Sequence, residues 1–336
     1  MRTDELDYDL PAELIAQEFA PARDGSRLLV YRRDSGSLEH HRFSELVSLL
    51  EPSDLVVANT TRVVPGRLHA RRASGGAVEL LLLEELPGGD WEALARPSRR
   101  LREGEILLVG AELAVELVEL VGAGRWRVRM PLGGAALSEA LARLGELPLP
   151  PYVRRAIADT SRYQTVYAVE PGSAAAPTAG LHFTPALWGA LGARCEVVGV
   201  DLRIGLDTFR PVAVDDLDAH AIHSEAYAIS PEVRARLDAA RADGRRIVCV
   251  GTTALRVVET VADPHAPDTG RTSLFVTPGY RFRTVGALLT NLHLPRSTLL
   301  ALVMAFAGVH ETRRIYAEAI AERYRFFSLG DATLIL

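Results

Sequence analysis

The 336-residue sequence contains no lysine, and all 38 of its basic residues are arginine. This excludes catalysis through a lysine Schiff base and the phosphate-binding lysine of a P-loop. Any anion contact is therefore left to guanidinium groups, which bind two oxygens at once. Cysteine is nearly as scarce, since only Cys195 and Cys249 occur. Both lie in apolar, strand-like stretches, which predicts buried structural thiols and argues against a cysteine zinc site or a redox CxxC motif.

Long apolar runs are also missing. The first 17 residues lack the continuous apolar segment of a signal peptide, and no stretch approaches the roughly 20 apolar residues of a membrane-spanning helix. We therefore expect a cytoplasmic protein that contacts no membrane. The formal net charge of −5 is opposite in sign to that of most nucleic-acid-binding domains, so a nucleic-acid contact requires a local basic patch.

Motifs that identify several common enzyme classes are absent. The sequence has no GxGxxG segment after a strand, no GxxxxGK[ST] segment and no GxSxG segment. The dinucleotide-binding, P-loop and serine-hydrolase classes therefore lose their main support. His220 and His223 stand three residues apart near Glu225, but no third ligand is evident nearby, so we expect no metal site.

Strand-like and helix-like segments alternate in the first 59 residues and again from residue 152 onward. Residues 27–33 and 38–43 flank a turn-forming segment and predict a hairpin. The later strand predictions are 54–59, 195–205, 247–250, 273–276 and 332–336, and the helix predictions are 231–243, 252–261, 297–306 and 311–324. Such alternation is typical of α/β domains.

The middle of the chain has a different pattern. Five strand-like runs separated by glycine-rich turns lie between residues 64 and 135, which predicts an antiparallel barrel or sandwich. The proline-rich segment 147–151 suits a connection between domains. We predict an α/β main domain, residues 1–61 plus 149–336, with an inserted antiparallel β-barrel domain at 62–148.

Three segments have the composition of a ligand site. Small residues dominate 173–180, where a ligand can approach the backbone closely, and His182 precedes a helix that begins at Thr184-Pro185. An ordinary glycine loop before a helix, with a structural histidine, would have the same pattern. Segment 250–256 (VGTTALR) is a strand–turn–helix whose threonines are either anion ligands or helix caps.

The third segment is 290–298 (TNLHLPRST). Asn291 and His293 have period-two spacing, which places both on one side of an extended segment, whereas Ser297 or Thr298 fits the cap of the following helix. These residues alone lead to a soluble α/β enzyme with an inserted β domain and a small-residue ligand loop. They do not identify a reaction.

Short strings spread over residues 6–336 occur in the order expected for one known family. They are DYDLP (7–11), ELIAQ (13–17), RDGSRLL (23–29), PLPPY (148–152), YQTVYA (163–168), AAPTAGLHFT (175–184), GLDTFRPV (205–212), HSE (223–225), GTTALR (251–256), PGY (278–280), NLHLPRSTLL (291–300), AFAG (305–308) and YRFFSLGD (324–331). Together they resemble the S-adenosylmethionine:tRNA ribosyltransferase-isomerases of queuosine biosynthesis.

The resemblance implies a fold and a reaction. The fold is an α/β main domain that carries an inserted β-barrel. In the reaction, the ribosyl part of S-adenosylmethionine moves to 7-aminomethyl-7-deazaguanine at the tRNA wobble position, gives epoxyqueuosine, and releases adenine and methionine. S-adenosylmethionine is then a consumed substrate, so no true cofactor and no metal is implied. The implied partner is a tRNA with a GUN-type anticodon, and we expect a monomer.

The resemblance also implies residue roles. A base must remove the C5′ proton that the sulfonium makes acidic, and His182 or His293 is the candidate, with Asp331 and Glu225 as further polar candidates. Arg162, Arg256 and Arg296 are candidates to hold the methionine carboxylate or tRNA phosphates, and Tyr163 and Tyr167 to stack on a base. The other substrate-binding candidates are Gln164, Pro177, Thr178, Ala179, Gly180, Thr252, Thr253, Asn291, Ser297 and Thr298.

The sequence departs from the family pattern at a few positions. Thr60 stands where aspartate is usual, and Arg203 stands where histidine is usual. Arginine cannot act as a base near neutral pH. These departures leave two alternatives open: a diverged paralogue that uses S-adenosylmethionine on a small-molecule acceptor, or a non-catalytic protein that binds RNA or S-adenosylmethionine.

Overall fold

The computed structural model describes residues 1–150, 152–155, 157, 159–205 and 211–336. These residues form a nine-stranded sheet packed with helices and a closed six-stranded barrel. The predicted fold class, an α/β main domain with an inserted antiparallel β-barrel, is confirmed. Residues 206–210 of the GLDTFRPV string and Pro151 of the PLPPY string lie outside the described residues.

The elements are numbered in chain order. The strands are β1 (Arg27–Tyr31), β2 (Leu38–Arg42), β3 (Leu55–Asn59), β4 (Thr61–Val63), β5 (Arg67–Arg72), β6 (Ala77–Glu85), β7 (Trp91–Arg96), β8 (Ile106–Val109), β9 (Leu113–Gly122), β10 (Arg125–Arg129), β11 (Glu170–Ser173), β12 (Glu196–Leu202), β13 (Glu225–Ala228), β14 (Ile247–Val250), β15 (Thr269–Thr272), β16 (Val285–Asn291) and β17 (Ala332–Ile335). The α-helices are α1 (Leu46–Leu49), α2 (Gly134–Leu144), α3 (Pro185–Arg194), α4 (Pro231–Ala242), α5 (Thr252–Val261), α6 (Thr298–Ala307) and α7 (Val309–Ala321).

The main sheet has the strand order β15-β13-β12-β3-β14-β16-β17-β1-β2. Strands β12, β3, β14 and β16 are parallel neighbours, whereas β17 and β1 run in the opposite direction. The carboxyl ends of the four parallel strands therefore meet the amino ends of β17 and β1 at one edge. Ligands of open α/β sheets bind outside such carboxyl ends. The topology thus gathers Asn59, Val250, Asn291 and Asp331 along one rim.

Burial explains why these segments form the sheet. Every residue of β3, β14 and β17 is buried, as expected for strands covered on both faces. Helix α5 packs against β12, β14 and β16, and Leu255, Val257 and Val258 are completely buried in that packing. Helix α4 begins as the sequence predicts, with the Ser230 hydroxyl accepting from Val233 N at 3.2 Å.

The barrel closes in the order β10-β7-β6-β5-β8-β9, and its strands run from Arg67 to Arg129, inside the predicted range 62–148. Alternate residues point inward, with Trp126 and Leu80 in the barrel core. The chain enters and leaves the barrel side by side. A Cβ on Gly145 would lie only 1.8 Å from Pro65 O, so this crossing requires glycine.

Two further observations concern thiols and membranes. Cys195 and Cys249 are both buried and free, so the prediction of buried thiols is confirmed. Burial raises the pKa of each thiol, Cys249 most strongly, which suits structural and not nucleophilic cysteines. In the part of the chain that the structure describes, no helix is long and apolar enough to cross a membrane.

Candidate active site

A cavity lies at the sheet edge where the carboxyl ends of the parallel strands meet. Its wall combines the small-residue loop after β11, the start of α5 and the end of β16. The residues of the sequence prediction that line it are Pro177, Thr178, Ala179, Thr252, Thr253, Asn291 and His293. The fold therefore brings the three predicted ligand segments together.

The start of α5 offers donors to this cavity. Gly251 has φ +89°, which lets the chain turn directly from β14 into the helix. No side chain caps the first turn, so its backbone N–H groups and the positive end of the helix dipole remain for a ligand. The Thr253 hydroxyl is buried and has no hydrogen-bond partner among the described residues.

Asn291 connects the loop, the sheet edge and His182. Its Oδ1 accepts from the Thr178 hydroxyl at 2.9 Å, and its Nδ2 donates to the Asp331 carbonyl at 3.5 Å. The carbonyl oxygen can only accept, which fixes Nδ2 as the amide nitrogen. Nδ2 also lies 3.3 Å from His182 Nε2, so this ring nitrogen must be the acceptor.

The contacts of His182 occupy both of its ring nitrogens. Since Nε2 accepts, Nδ1 carries the proton and donates to Ser26 Oγ at 2.6 Å, and Ser26 in turn donates to Arg23 O at 3.0 Å. The ring stacks on Phe43 at 4.8 Å between centroids. Burial lowers the pKa of His182 to about 4, so the imidazole is neutral near pH 7.

His293 differs from His182 in having an unoccupied nitrogen. Its Nε2 lies 2.8 Å from Thr290 Oγ1, whereas Nδ1 is buried and has no hydrogen-bond partner within the described ranges. Burial lowers the pKa of His293 to about 3, so this ring is also neutral near pH 7. Of the two candidate bases, His293 is the one that lines the cavity, and it is the one with a ring nitrogen that has no hydrogen-bond partner among the described residues.

Two tyrosines hold the main chain of His293 from behind. Tyr316 OH accepts from His293 N at 2.9 Å, and Tyr8 OH donates to His293 O at 2.5 Å. Their rings pack edge to face with centroids 5.3 Å apart. This contact explains the tyrosine of the N-terminal DYDLP string, because the Tyr8 hydroxyl bonds His293, which lies 285 positions later in the chain.

Removal of the Tyr316 hydroxyl should loosen this arrangement. We expect Tyr316→Phe to lower kcat about fivefold, because one hydrogen bond of about 1 kcal/mol no longer fixes the His293 peptide while the ring packing is kept. Steady-state kinetics would measure it, and the S-adenosylmethionine Kd should be unchanged. Tyr280→Phe, which removes a hydroxyl that contacts Glu259 at 3.1 Å, is the matched control. Equal kcat for the two variants would contradict the expectation.

The carboxylate of Asp331 is already bound by its own turn and by the start of β1. It accepts from Arg27 N at 3.0 Å and from Arg325 N at 2.8 Å, and both arginine side chains approach it within 4 Å. Asp331 therefore fixes the 325–331 turn beside the cavity and presents its carbonyl oxygen to Asn291.

Neither Glu225 nor Arg256 lines this cavity, whereas Glu225 lines the second cavity described below, and the roles predicted for both residues stay predictions. Burial acts to raise the pKa of Glu225, but the hydrogen bond from His223 and the charge of Arg256 outweigh it and hold the pKa low. The Arg256 guanidinium contacts Glu225 and donates to Leu274 O at 3.1 Å and Thr272 O at 3.3 Å. This buried pair joins α5 to β13.

The YQTVYA string supports the loop from inside and does not face the cavity. Tyr163 is completely buried, and Tyr167 already stacks on Trp188 at 4.0 Å, so neither ring is placed to stack on a base. Gln164 bonds both main-chain groups of Val63. A Cβ on Gly180 would lie 2.0 Å from Tyr167 OH, which explains glycine in the loop.

The remaining predicted residues lie around the edges of the site. Arg162 donates to Ala20 O at 2.7 Å and lines a recess beside His182. Arg296 is exposed and has φ +55° at the turn before α6. Ser297 is the cap of α6, since its hydroxyl accepts from Leu300 N at 3.1 Å, and Thr298 is the first helical residue.

Some residues at the site were not singled out from sequence. Ser26 bonds His182, Thr290 bonds His293, and Arg23 fixes the loop by donating to Leu181 O at 3.0 Å. Ser26 and Arg23 belong to the quoted RDGSRLL string, which was the available signal. Among the described residues no group of three His, Cys, Asp or Glu side chains is placed to hold a metal ion.

Comparison with known proteins agrees with this architecture. The family model described as queuosine biosynthesis protein matches residues 3–335. The chain belongs to this family. The S-adenosylmethionine:tRNA ribosyltransferase-isomerase of Rubrobacter xylanophilus is 52% identical over 337 residues, which cover 100% of this chain and 98% of that protein. The protein of the same name from Anaeromyxobacter sp. (strain Fw109-5) is 51% identical over 344 residues, 100% of this chain and 99% of the relative.

A solved structure is also similar to the whole chain. It is the crystal structure of an S-adenosylmethionine tRNA ribosyltransferase from Thermotoga maritima, with 36% sequence identity and a TM-score of 0.57. The match covers 99% of this chain and 100% of that one. The family resemblance seen in the sequence is therefore confirmed over its full extent.

The two departures from the family pattern have different surroundings. Thr60 is built into the fold: its hydroxyl donates to Val200 O at 3.1 Å, and its methyl group packs on Gly199. Arg203 instead lines a second cavity between the barrel and the main domain. There Arg271 of β15 bonds Glu84 of β6 across the two domains. Of the two departures, Arg203 is therefore the one that faces open space.

Proposed function

We propose that the protein transfers the ribosyl moiety of S-adenosylmethionine to 7-aminomethyl-7-deazaguanine at the wobble position of a tRNA and isomerises it. The product is epoxyqueuosine-tRNA, and adenine and methionine are released. Membership of the queuosine biosynthesis family and full-length relatives of this activity support the proposal. S-adenosylmethionine is consumed in the reaction, so it is a substrate and not a resident cofactor.

The observation that carries the mechanism is that His293 lines the cavity and that its buried Nδ1 has no hydrogen-bond partner among the described residues. The proton at C5′ of S-adenosylmethionine is acidified by the sulfonium, and a neutral imidazole can accept it. Nδ1 then gains the proton that C5′ loses, while Nε2–H donates to Thr290 Oγ1 and keeps the ring in orientation. His182 contributes differently, because its nitrogens hold Asn291 and Ser26 in place.

The start of α5 is the proposed place for the methionine carboxylate. Its uncapped N–H groups and the unpartnered Thr253 hydroxyl are donors without acceptors, and the helix dipole favours a negative group there. The small residues Ala176 and Ala179, which line the cavity, leave space for the substrate next to these donors. The carboxylate in turn accepts from several N–H groups at once.

A basic face beside the loop supports tRNA as the acceptor, although the net charge is −5. Arg154 and Arg155 are exposed, and no ion pair within the described residues involves either. Arg154 N donates to Gln17 at 3.0 Å, and Arg162 is fixed to Ala20 of the same segment. We further propose a tRNA with a GUN-type anticodon, a monomeric enzyme and a cytoplasmic location.

A product assay tests the proposal. Purified protein is mixed with S-adenosylmethionine and an anticodon stem-loop that carries 7-aminomethyl-7-deazaguanine, and adenine release and RNA mass are followed. We expect adenine release together with a heavier wobble nucleoside. A stem-loop with guanine at the same position is the control, since it lacks the attacking amine. Tight S-adenosylmethionine binding with no change in the RNA would contradict the proposal and favour a diverged paralogue.

A further inference from the structure

Two arginines, Arg23 and Arg162, line a narrow recess beside His182, together with Ser26 and the 328–330 turn. A third, Arg325, bonds Glu18 O next to the recess. The recess meets the cavity that His293 lines at Ser328. The mechanism proposed above uses His182 only to position Asn291, so the recess in front of it has no assigned role.

Carbonyl oxygens hold the first two arginines in place. Arg23 donates from Nη1 to Leu181 O at 3.0 Å and from Nη2 to Ser161 O at 3.4 Å. Arg162 donates from Nη1 to Ala20 O at 2.7 Å, and its guanidinium lies over a phenylalanine ring at 4.7 Å. These contacts fix direction but supply no negative charge. Within the described ranges, neither Arg23 nor Arg162 has a carboxylate within 4.0 Å.

The third arginine, Arg325, adds positive charge that its only nearby carboxylate among the described residues neutralises in part. Its Nη1 donates to Glu18 O at 3.4 Å, and its Nη2 lies 3.5 Å from Asp331 Oδ1. Asp331 also receives two backbone N–H groups and Arg27. The single negative charge of Asp331 is thus shared between the guanidinium groups of Arg27 and Arg325. No other ion pair of Arg325 occurs in the part of the chain that the structure describes.

The guanidinium groups of this cluster influence each other electrostatically. Burial and the neighbouring charge of Arg162 lower the pKa of Arg23, which Asp159 offsets in part. Burial also lowers the pKa of Arg162, where Arg325 adds to the effect and Asp159 opposes it. Asp159 is exposed and is already bound by Ser161 N and Oγ. Like charges held this close favour the binding of an anion between them.

We propose that Arg23, Arg162 and Arg325 form an oxyanion site that binds a phosphodiester of the tRNA backbone next to His182. The inference rests on the proposed function, because that function supplies the RNA. A guanidinium presents paired N–H donors that match two oxygens of a phosphate or a carboxylate. The methionine carboxylate is the other source of such an anion. The phosphodiester is favoured because α5 already offers that carboxylate a place, and because Arg154 and Arg155 extend the basic face.

Binding measurements on Arg23→Gln and Arg162→Gln test the site. We expect each to weaken tRNA binding about tenfold and to reduce the slope of log K against log salt by about 0.7–0.9, the value for one lost phosphate contact. The S-adenosylmethionine Kd, measured by calorimetry, should stay within twofold of wild type. Arg99→Gln is the matched control, since Arg99 is exposed in the turn after β7 and has no ion pair among the described residues. Arg99→Gln should lower the tRNA affinity only by the small amount that the loss of one positive charge far from the binding site causes.

The outcomes separate the possible sources of the anion. If the variants weaken S-adenosylmethionine about tenfold and leave the salt slope unchanged, the site takes the carboxylate and the phosphodiester assignment is overturned. If wild type binds both substrates and the variants behave like Arg99→Gln, the oxyanion site is refuted while the proposed function stands.

Inorganic phosphate gives a test that does not depend on the proposed function. At matched ionic strength, phosphate should raise the thermal midpoint of wild-type protein more than chloride does, and this gain should be lost in the Arg23→Gln/Arg162→Gln double variant. Far-ultraviolet circular dichroism of the variant checks that it is folded. An equal gain in both proteins would overturn the site even if the wild type proves to bind no tRNA.

Discussion

His293→Ala is expected to lower kcat by a factor of about 10² to 10⁴ while the S-adenosylmethionine Kd changes by less than about threefold. The reason is that His293 lines the cavity and that its Nδ1 has no hydrogen-bond partner in the part of the chain that the structure describes. Adenine release would measure the effect. His310→Ala is the matched control, since that side chain is 88% exposed. Turnover close to wild type in His293→Ala would remove His293 from the mechanism.

The pH dependence of proton removal gives a second readout for the same residue. Burial places the pKa of His293 at about 3, below the ordinary value of 6.5, so the neutral base is present at every pH above about 4. Exchange of the C5′ hydrogens with solvent should therefore not fall between pH 8 and pH 5. The exchange is measured with a tRNA that has guanine at the wobble position. This tRNA lacks the acceptor amine, so the transfer step cannot follow. A loss of exchange centred near pH 6.5 would instead indicate a solvent-exposed histidine.

Much of the fold follows from local sequence patterns, and the failures have physical causes. Strand β5 was not predicted, because only Leu68 and Ala70 of its six residues are fully buried and its other side chains are polar. The strand predicted at 273–276 lies instead at 269–272. Residues 269–272 pair with β13, while the apolar residues that follow contribute Val276 to the core without forming a strand.

The candidate site shows the same division between local and distant information. The spacing of Asn291 and His293 predicted that both face one side, and both line the cavity. The difference between the two histidines was not predictable. It depends on Ser26, which lies 156 residues from His182 in sequence, and on the orientation of the Asn291 amide. Such contacts exist only once β16, β17 and the loop after β11 are packed together.

Arg256 illustrates a second limit of reasoning from the sequence. Its position after two threonines favoured a substrate ligand, but its partner Glu225 lies 31 residues earlier, on a neighbouring element. Both side chains are buried, at 8% and 2% exposure. A buried guanidinium must be paired, and here the pairing is internal. The sequence contains both charges but does not indicate that they meet.

The buried pair therefore leads to a prediction about folding. We expect Arg256→Leu and Glu225→Leu each to lower the free energy of unfolding by about 3–5 kcal/mol, because each breaks the buried ion pair. Glu225 keeps its contact with His223 in Arg256→Leu, so this variant should lie at the lower end of the range. The double variant should be more stable than the sum of the two losses by at least about 1 kcal/mol. Urea denaturation at pH 7 measures all three. Arg236→Leu, which breaks the exposed pair with Glu196, is the control and should cost less than about 1 kcal/mol.

The same variants decide between a structural and a substrate-binding role for Arg256. Because Arg256 bonds Glu225 and two carbonyl groups of the 272–274 segment, no part of it is needed at the His293 cavity. At a temperature where the variants remain folded, their S-adenosylmethionine Kd should lie within about twofold of wild type. A stable Arg256→Leu protein that binds S-adenosylmethionine more than tenfold weaker would mean the opposite. Arg256 would then turn from Glu225 to the substrate on binding, and the first interpretation of the GTTALR string would hold.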